Sequence, residues 1–97
     1  MKLFPGCEAE YRRRHEAVFP ELAALLKSVG VKEYSIFLDE ETQLLFACLQ
    51  IEDPARLDQL KAHDIMWKWW DHMKDIMEVY PDTSPVTKPL KEVFYMP

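Results

Sequence analysis

The chain is organised around residues 10–22, Glu10-Tyr11-Arg12-Arg13-Arg14-His15-Glu16-Ala17-Val18-Phe19-Pro20-Glu21-Leu22, whose pattern predicts a helix. Tyr11 and His15 lie four residues apart and are therefore neighbours on one helical face. That face continues as an aliphatic stripe typical of a core-facing side, formed by Val18, Leu22, Leu25 and Val29. The pair is therefore expected to point inward. From this pattern alone, a core-edge histidine bonded to a carbonyl is the more frequent interpretation, and a functional site is the alternative.

Composition and charge limit the classes of function. The 97 residues suffice for one domain, residues 1–97, with a modest core. A net charge of −5 argues against a nucleic-acid partner, and the run Arg12-Arg13-Arg14 is interpreted as a solvated helix face. No apolar run is long enough for a membrane span and no signal-peptide pattern is present, so the expected location is cytoplasmic. Cys7 and Cys48 are too few for a disulfide framework or a zinc site and are expected to be free thiols.

The first half of the chain predicts helical structure followed by a β-hairpin. Pro20 falls inside the helical pattern, so either the helix kinks there or a second helix begins with Pro20 in its first turn. Gly30 is expected to end the helix in a left-handed conformation. Residues 31–38 alternate with period two, with Tyr34 on one face, and residues 43–51 form the antiparallel partner strand. Since this second strand is apolar on both sides, we expect both of its faces to be covered.

The second half predicts two helices that carry the tryptophans. A short helix starts at Asp53-Pro54 and ends at Ala62, and Asp64 is the expected N-cap of a second helix over residues 65–78. Trp69 and Trp70 are expected to face inward. Trp67 falls on the opposite side, where it is expected to be exposed or at an interface. Nothing in the spacing of His63 and His72 indicates a ligand set, so both are interpreted as surface or capping residues.

The order of these elements predicts the fold class. Residues 90–96 alternate well enough to form a closing strand, and residues 1–4 are at best a stub of an opening strand. The chain therefore predicts an α+β fold, a ferredoxin-like βαββαβ sandwich with a truncated first strand. In this topology the first strand is central, so its shortness is expected to mean either that the sheet is weakened or that Met1 is not the true start of the chain.

Taken together, the quoted segments resemble the L-rhamnose mutarotase family, over about residues 5–97. The segments that carry the resemblance are Glu10 to His15, Pro20-Glu21-Leu22, Tyr34-Ser35-Ile36-Phe37-Leu38-Asp39, Leu44-Leu45-Phe46-Ala47, Trp69-Trp70 with Met73, and Glu92-Val93-Phe94-Tyr95-Met96-Pro97. The whole set, in order and at family-like spacing, is specific, although no single segment is decisive. Family members usually begin with a longer first strand, and Phe19 stands where a tryptophan is common.

The resemblance implies a function and a set of site residues. Family members are small cytoplasmic homodimers of the dimeric α+β-barrel type that interconvert the α and β anomers of L-rhamnose, with no cofactor and no metal. The resemblance implies that His15 is the proton-donating catalytic residue. It implies sugar-binding roles for Tyr11, Tyr34, Trp69 and Trp70.

These residue types suit the chemistry of mutarotation, in which a base deprotonates the anomeric hydroxyl and an acid protonates the ring oxygen. Histidine can do either near neutral pH because its unperturbed pKa is about 6.5. A phenol with a pKa of about 10 is a better donor than base, so Tyr11 and Tyr34 are expected to bind sugar hydroxyls. Trp69 and Trp70 would offer a flat wall to the sugar's C–H face. Without the resemblance, both tryptophans would be interpreted as core residues and Tyr34 as a packing residue.

Three other functions remain open on sequence grounds. Small monooxygenases and haem-degrading enzymes share the dimeric α+β-barrel fold and also use histidine and tryptophan. A non-catalytic sugar-binding or dimerisation module would bind a ligand without turning it over. A folded but degraded relative is the third, should the first strand be missing.

Overall fold

The computed structural model describes all 97 residues, and two helices open the fold. Helix α1 spans Glu8–Glu16 and helix α2 spans Pro20–Ser28, so a second helix begins at Pro20 instead of one kinked helix passing through it. A proline at the first helical position needs no backbone N–H, which explains the boundary. Gly30, with φ of +93°, ends α2 in the predicted left-handed conformation. The backbone N–H of Gly30 donates to the carbonyl of Lys27, and that of Val31 donates to the carbonyl of Leu26.

The hairpin follows as predicted. Strand β1 (Lys32–Asp39) pairs antiparallel with strand β2 (Leu44–Gln50), with Leu38 opposite Leu45. The register shifts between Lys32 and Ser35, where Glu33 has a positive φ of 49°. A 3₁₀ helix (Pro54–Ala62) and helix α3 (Asp64–Met73) complete the regular elements. Asp64, the predicted N-cap, is instead the first residue of α3, and His63 occupies the cap position.

The N-terminal residues form the centre of the sheet despite their small number. Lys2 bridges antiparallel to Leu44 of β2, and Leu3 bridges antiparallel to Met77 on its other side. The lateral order is therefore β1, β2, the N-terminal residues and the segment around Met77, as in a ferredoxin-like sheet. Leu3 is only 1% exposed. The first strand is thus short but is paired on both sides.

Residues 90–96 do not form the predicted closing strand, and that prediction is wrong. The segment around Met77 already occupies the position beside the N-terminal residues, where Phe4 N–H donates to Ile76 and Glu78 N–H donates to Lys2. For this reason α3 ends at Met73, short of the predicted residue 78. Residues 90–96 extend from the chain instead, with their large apolar side chains 71–88% exposed.

Within the single chain, helices cover only one face of the sheet, so this chain alone does not cover both faces of β2 as expected. Leu45 is buried, whereas its neighbours Leu44 and Phe46 are each 40% exposed. Phe37, paired with Phe46 on the same outer face, is 61% exposed. The core lies on the other face, between the sheet and the helices, and consists of Leu3, Tyr11, Leu22, Val29, Val31, Leu45, Leu60, Met66, Trp69, Met73, Ile76 and Met77. No helix is long and apolar enough to cross a membrane.

Candidate active site

Helix α1 holds Tyr11 and His15 against each other. Their ring centroids lie 4.3 Å apart in a stacked arrangement, with an angle of 30° between the planes. The Nδ1 atom of His15 lies 2.9 Å from the backbone carbonyl of Tyr11. Because a carbonyl oxygen only accepts, Nδ1 carries the hydrogen of this bond. In the neutral imidazole, Nε2 is therefore the nitrogen with a lone pair, free to exchange a proton with a ligand.

Helix α3 contributes the facing aromatic wall. Trp69 and His15 make a T-shaped contact, with ring centroids 5.2 Å apart and planes at 88°. Phe19 makes a similar edge contact with Trp69 at 5.2 Å and 87°, so it supplies the apolar contact expected at a position where a tryptophan is common. Edge-to-face contacts of this kind are favourable beyond the area that they bury. Trp69 is consequently buried and fixed in orientation.

One cavity of about 1040 Å³ brings all five predicted site residues together. Tyr11 and His15 come from α1, Tyr34 from β1, and Trp69 and Trp70 from α3. Twenty of the 29 lining residues are hydrophobic, so few polar groups are available to orient a ligand. Charged side chains that the sequence analysis did not assign to a site also line the cavity: Glu8, Arg12, Glu16, Glu40 and Lys61. Glu8, Arg12 and Glu16 repeat every four residues on α1, a spacing that gives them one face.

Burial sets the protonation states in the cavity. Desolvation lowers the pKa of His15, and the hydrogen bond to the Tyr11 carbonyl offsets this only in part. Burial also raises the pKa of Tyr11, with a smaller contribution from Tyr34, whose own pKa is raised by burial. At neutral pH the cavity therefore presents an uncharged imidazole and two protonated phenols.

Trp67 is not exposed within the single chain, and its expected place at an interface stays a prediction. It is half-buried, and it meets Trp70 at a centroid distance of 4.8 Å with planes at 90°. Its Nε1–H donates to the carbonyl of Lys61 across 2.7 Å, which links α3 to the 3₁₀ helix. Trp67 thus supports Trp70 from behind. The three-residue spacing of the two tryptophans is the sequence signal that indicates this contact.

The remaining histidines and cysteines lie apart from a metal-binding arrangement. His63 and His72 are exposed, in keeping with their interpretation as surface or capping residues. His72 nevertheless packs against Phe19, with ring centroids 5.4 Å apart. Cys7 and Cys48 are both free, as predicted. No three His, Cys, Asp or Glu side chains come close enough together to hold a metal ion.

Known proteins resemble this chain over nearly its whole length. A model of the L-rhamnose mutarotase family matches residues 1–96. A Sinorhizobium medicae protein named L-rhamnose mutarotase is 52% identical over 96 residues, covering 99% of this chain and 92% of that protein. A Bacteroides thetaiotaomicron protein of the same name is 54% identical, with the same coverage. The crystal structure of an L-rhamnose mutarotase from Formosa agariphila has a TM-score of 0.90 and 52% identity, covering 99% of this chain and 92% of that one. This chain belongs to the L-rhamnose mutarotase family.

Proposed function

We propose that this chain catalyses the interconversion of the α and β anomers of L-rhamnose by opening and reclosing the pyranose ring. The observation that carries the proposal is the cavity that an imidazole with a free Nε2 lines together with two phenols and two indoles. The close relatives named L-rhamnose mutarotase supply the identity of the sugar. One well-placed acid–base group, worth roughly 10²–10⁴-fold in rate, is enough for a reaction that already proceeds in water.

His15 moves one proton from the anomeric hydroxyl to the ring oxygen. The neutral imidazole accepts the hydroxyl proton at Nε2, directly or across one water. The resulting imidazolium gives that proton to the ring oxygen as the bond between this oxygen and C1 breaks. Rotation about the bond next to C1 exposes the other face of the aldehyde, and the proton returns along the reverse path. The lowered pKa of His15 suits both proton transfers. It keeps the imidazole neutral before the sugar reacts, and it makes the imidazolium a stronger acid towards the ring oxygen.

The other four residues bind and orient the sugar. The raised pKa values of Tyr11 and Tyr34 keep both phenols protonated, so each can donate a hydrogen bond to a sugar hydroxyl. Trp69 and Trp70 offer flat apolar surfaces to the C–H face and the methyl group of the sugar. The mainly apolar lining strengthens the polar contacts that His15 and the two phenols make with the sugar.

We further propose that the chain acts as a homodimer in the cytoplasm. A single chain leaves Phe37 and Phe46 exposed opposite each other on the outer face of the sheet, and the large apolar side chains of its tail at residues 90–96 are also exposed. Exposed apolar surface of this kind is typical of a protein–protein interface. Analytical ultracentrifugation is expected to find twice the 11.5 kDa mass of one chain, and a species of 11.5 kDa alone would contradict the dimer.

Anomer-exchange NMR tests the reaction directly. Saturation transfer between the two anomeric proton signals of L-rhamnose is expected to increase on addition of the protein, and to increase less for L-fucose and D-ribose. Equal exchange for all three sugars would support mutarotase activity but refute specificity for L-rhamnose. Thermal stabilisation by L-rhamnose without exchange would instead indicate a sugar-binding module. A haem-coloured preparation without exchange would favour the haem-degrading alternative.

A further inference from the structure

The Arg14 side chain connects the helix that carries His15 to the end of the helix that carries the tryptophans. Its Nη1 donates to the backbone carbonyl of His72 across 2.6 Å. The same nitrogen lies 2.8 Å from Asp75 Oδ1, and Nη2 lies 3.2 Å from Asp75 Oδ2. The Nε–H donates to Glu10 across 2.9 Å, within α1. Only 12% of the Arg14 side chain is exposed, so the interpretation of the whole arginine run as a solvated face is wrong at this residue.

This arrangement depends on properties that only arginine has. The planar guanidinium presents several donors in a fixed fork, which engages both oxygens of a carboxylate at once. The His72 carbonyl lies in the last turn of α3, where backbone carbonyls lack partners within the helix and the helix dipole is negative. Arg14 therefore satisfies a free carbonyl and an acidic side chain just beyond the helix end with one group.

We propose that Arg14 is a positioning residue that sets the approach of α1 to α3, and thereby the position of His15 against the sugar-binding tryptophans. This inference rests on the proposed function. The contact between His15 and Trp69 crosses the same interface between the two helices, one residue away from Arg14 in sequence. Loss of the Arg14 contacts to Asp75 and His72 frees α1 to shift along this interface. A displacement of about 1 Å is enough to slow a proton transfer by roughly 10²-fold.

The neighbouring Arg13 provides a matched control. It forms an ion pair with the same Glu10, but its side chain is 67% exposed and it has no contact with α3. Arg13→Gln removes one positive charge from the same helix turn. The two substitutions therefore differ in whether the link between the helices is broken, and not in the change of charge.

The experiment compares Arg14→Gln, Arg14→Lys and Arg13→Gln by anomer-exchange kinetics on L-rhamnose, below the unfolding transition of each variant. Arg14→Gln is expected to lower kcat by roughly 10–100-fold while KM changes by less than about threefold. Arg14→Lys keeps the charge beside Asp75 but loses the fork, so it should recover part of the lost kcat. If Arg14→Gln fails to fold, Arg14→Lys still allows the positioning role of Arg14 to be tested. Arg13→Gln should keep the wild-type kcat.

A second measurement does not depend on activity. The ring protons of His15 sense the ring current of Trp69, so their NMR signals should shift in Arg14→Gln and stay in place in Arg13→Gln. Absence of exchange by the wild-type protein would refute the proposed function, and the His15 signals would still decide the positioning role. Unchanged kcat with unmoved signals in Arg14→Gln would overturn the inference. Equal losses of kcat in the Arg13 and Arg14 variants would also overturn it.

Discussion

The variant His15→Asn separates proton transfer from structural support. The asparagine amide nitrogen takes a place close to that of Nδ1, so it can still donate to the Tyr11 carbonyl that His15 bonds across 2.9 Å. It has no group that titrates near neutral pH and no equivalent of Nε2. We therefore expect kcat for anomer exchange to fall by about 10²–10⁴-fold, the usual contribution of a general acid–base group.

The structure also gives the expected loss of stability. His15 makes two ring contacts, the stack with Tyr11 at 4.3 Å and the edge contact with Trp69 at 5.2 Å. Each is worth about 0.5–1.5 kcal/mol, so the free energy of unfolding should fall by about 1–3 kcal/mol. Starting from a typical stability of about 5 kcal/mol or more, the variant would still be more than about 90% folded at 25 °C. Unfolding would then remove only a small part of the activity, far less than the expected fall in kcat.

Saturation-transfer NMR at 25 °C, with the spontaneous exchange subtracted, measures the effect. The control is Phe19→Leu, which removes the other edge contact of Trp69 at 5.2 Å but leaves the proton carrier in place. It should lose comparable stability and keep kcat within about tenfold of wild type, since no acid–base group is removed. A His15→Asn variant that retains more than about a tenth of the wild-type kcat would refute the assignment of His15.

Further predictions concern pH, the tryptophan support and the sheet. Burial lowers the pKa of His15, so the neutral ring contributes stability above about pH 6.5, and this contribution is lost as the pH falls through the lowered pKa. The value of kcat/KM should fall over the same pH range. If acid destabilises His15→Asn towards urea more than it destabilises the wild type, this prediction is contradicted. Trp67→Phe keeps a ring beside Trp70 but loses the 2.7 Å hydrogen bond to the Lys61 carbonyl, at a cost of about 1 kcal/mol in the free energy of unfolding. KM should therefore rise by a larger factor than kcat falls. An unchanged KM would refute the role of Trp67 in supporting Trp70. Leu3→Ala should lower the free energy of unfolding by about 2–5 kcal/mol, because Leu3 is only 1% exposed; a loss below about 1 kcal/mol in urea titration would show that this residue is not central to the core.

Local periodicity made part of the fold and site predictable. The four-residue spacing of Tyr11 and His15 fixes their shared face, and the structure confirms the resulting stack. The left-handed position at Gly30 was predicted in the same way, whereas at Pro20 the sequence left a kinked helix and a new helix open, and the structure shows the new helix. Such features depend on residues that are neighbours in sequence, and the sequence therefore contains them directly.

Features that depend on long-range pairing were not accessible in the same way. The alternating pattern at residues 90–96 predicts a strand, but a strand also needs a free edge, and the segment around Met77 occupies the position beside the N-terminal residues. The arginine run gave no signal that Arg13 and Arg14 differ. Only the approach of α3 places Asp75 and the His72 carbonyl within reach of Arg14.

The short N-terminal strand contributes Leu3 to the lining of the cavity, but the five proposed site residues lie on other elements, so the effects of the strand on stability and on activity can be separated. Leu3 lies in the sheet between β2 and Met77, whereas His15 and the tryptophans are set by the interface of α1 with α3. Weakening the strand through Leu3→Ala should therefore lower stability and leave kcat of the folded protein close to wild type. Breaking the helix link through Arg14→Gln should lower kcat more than its effect on stability explains. A short central strand is compatible with an intact site because four of the five proposed site residues lie on helices joined by their own contacts.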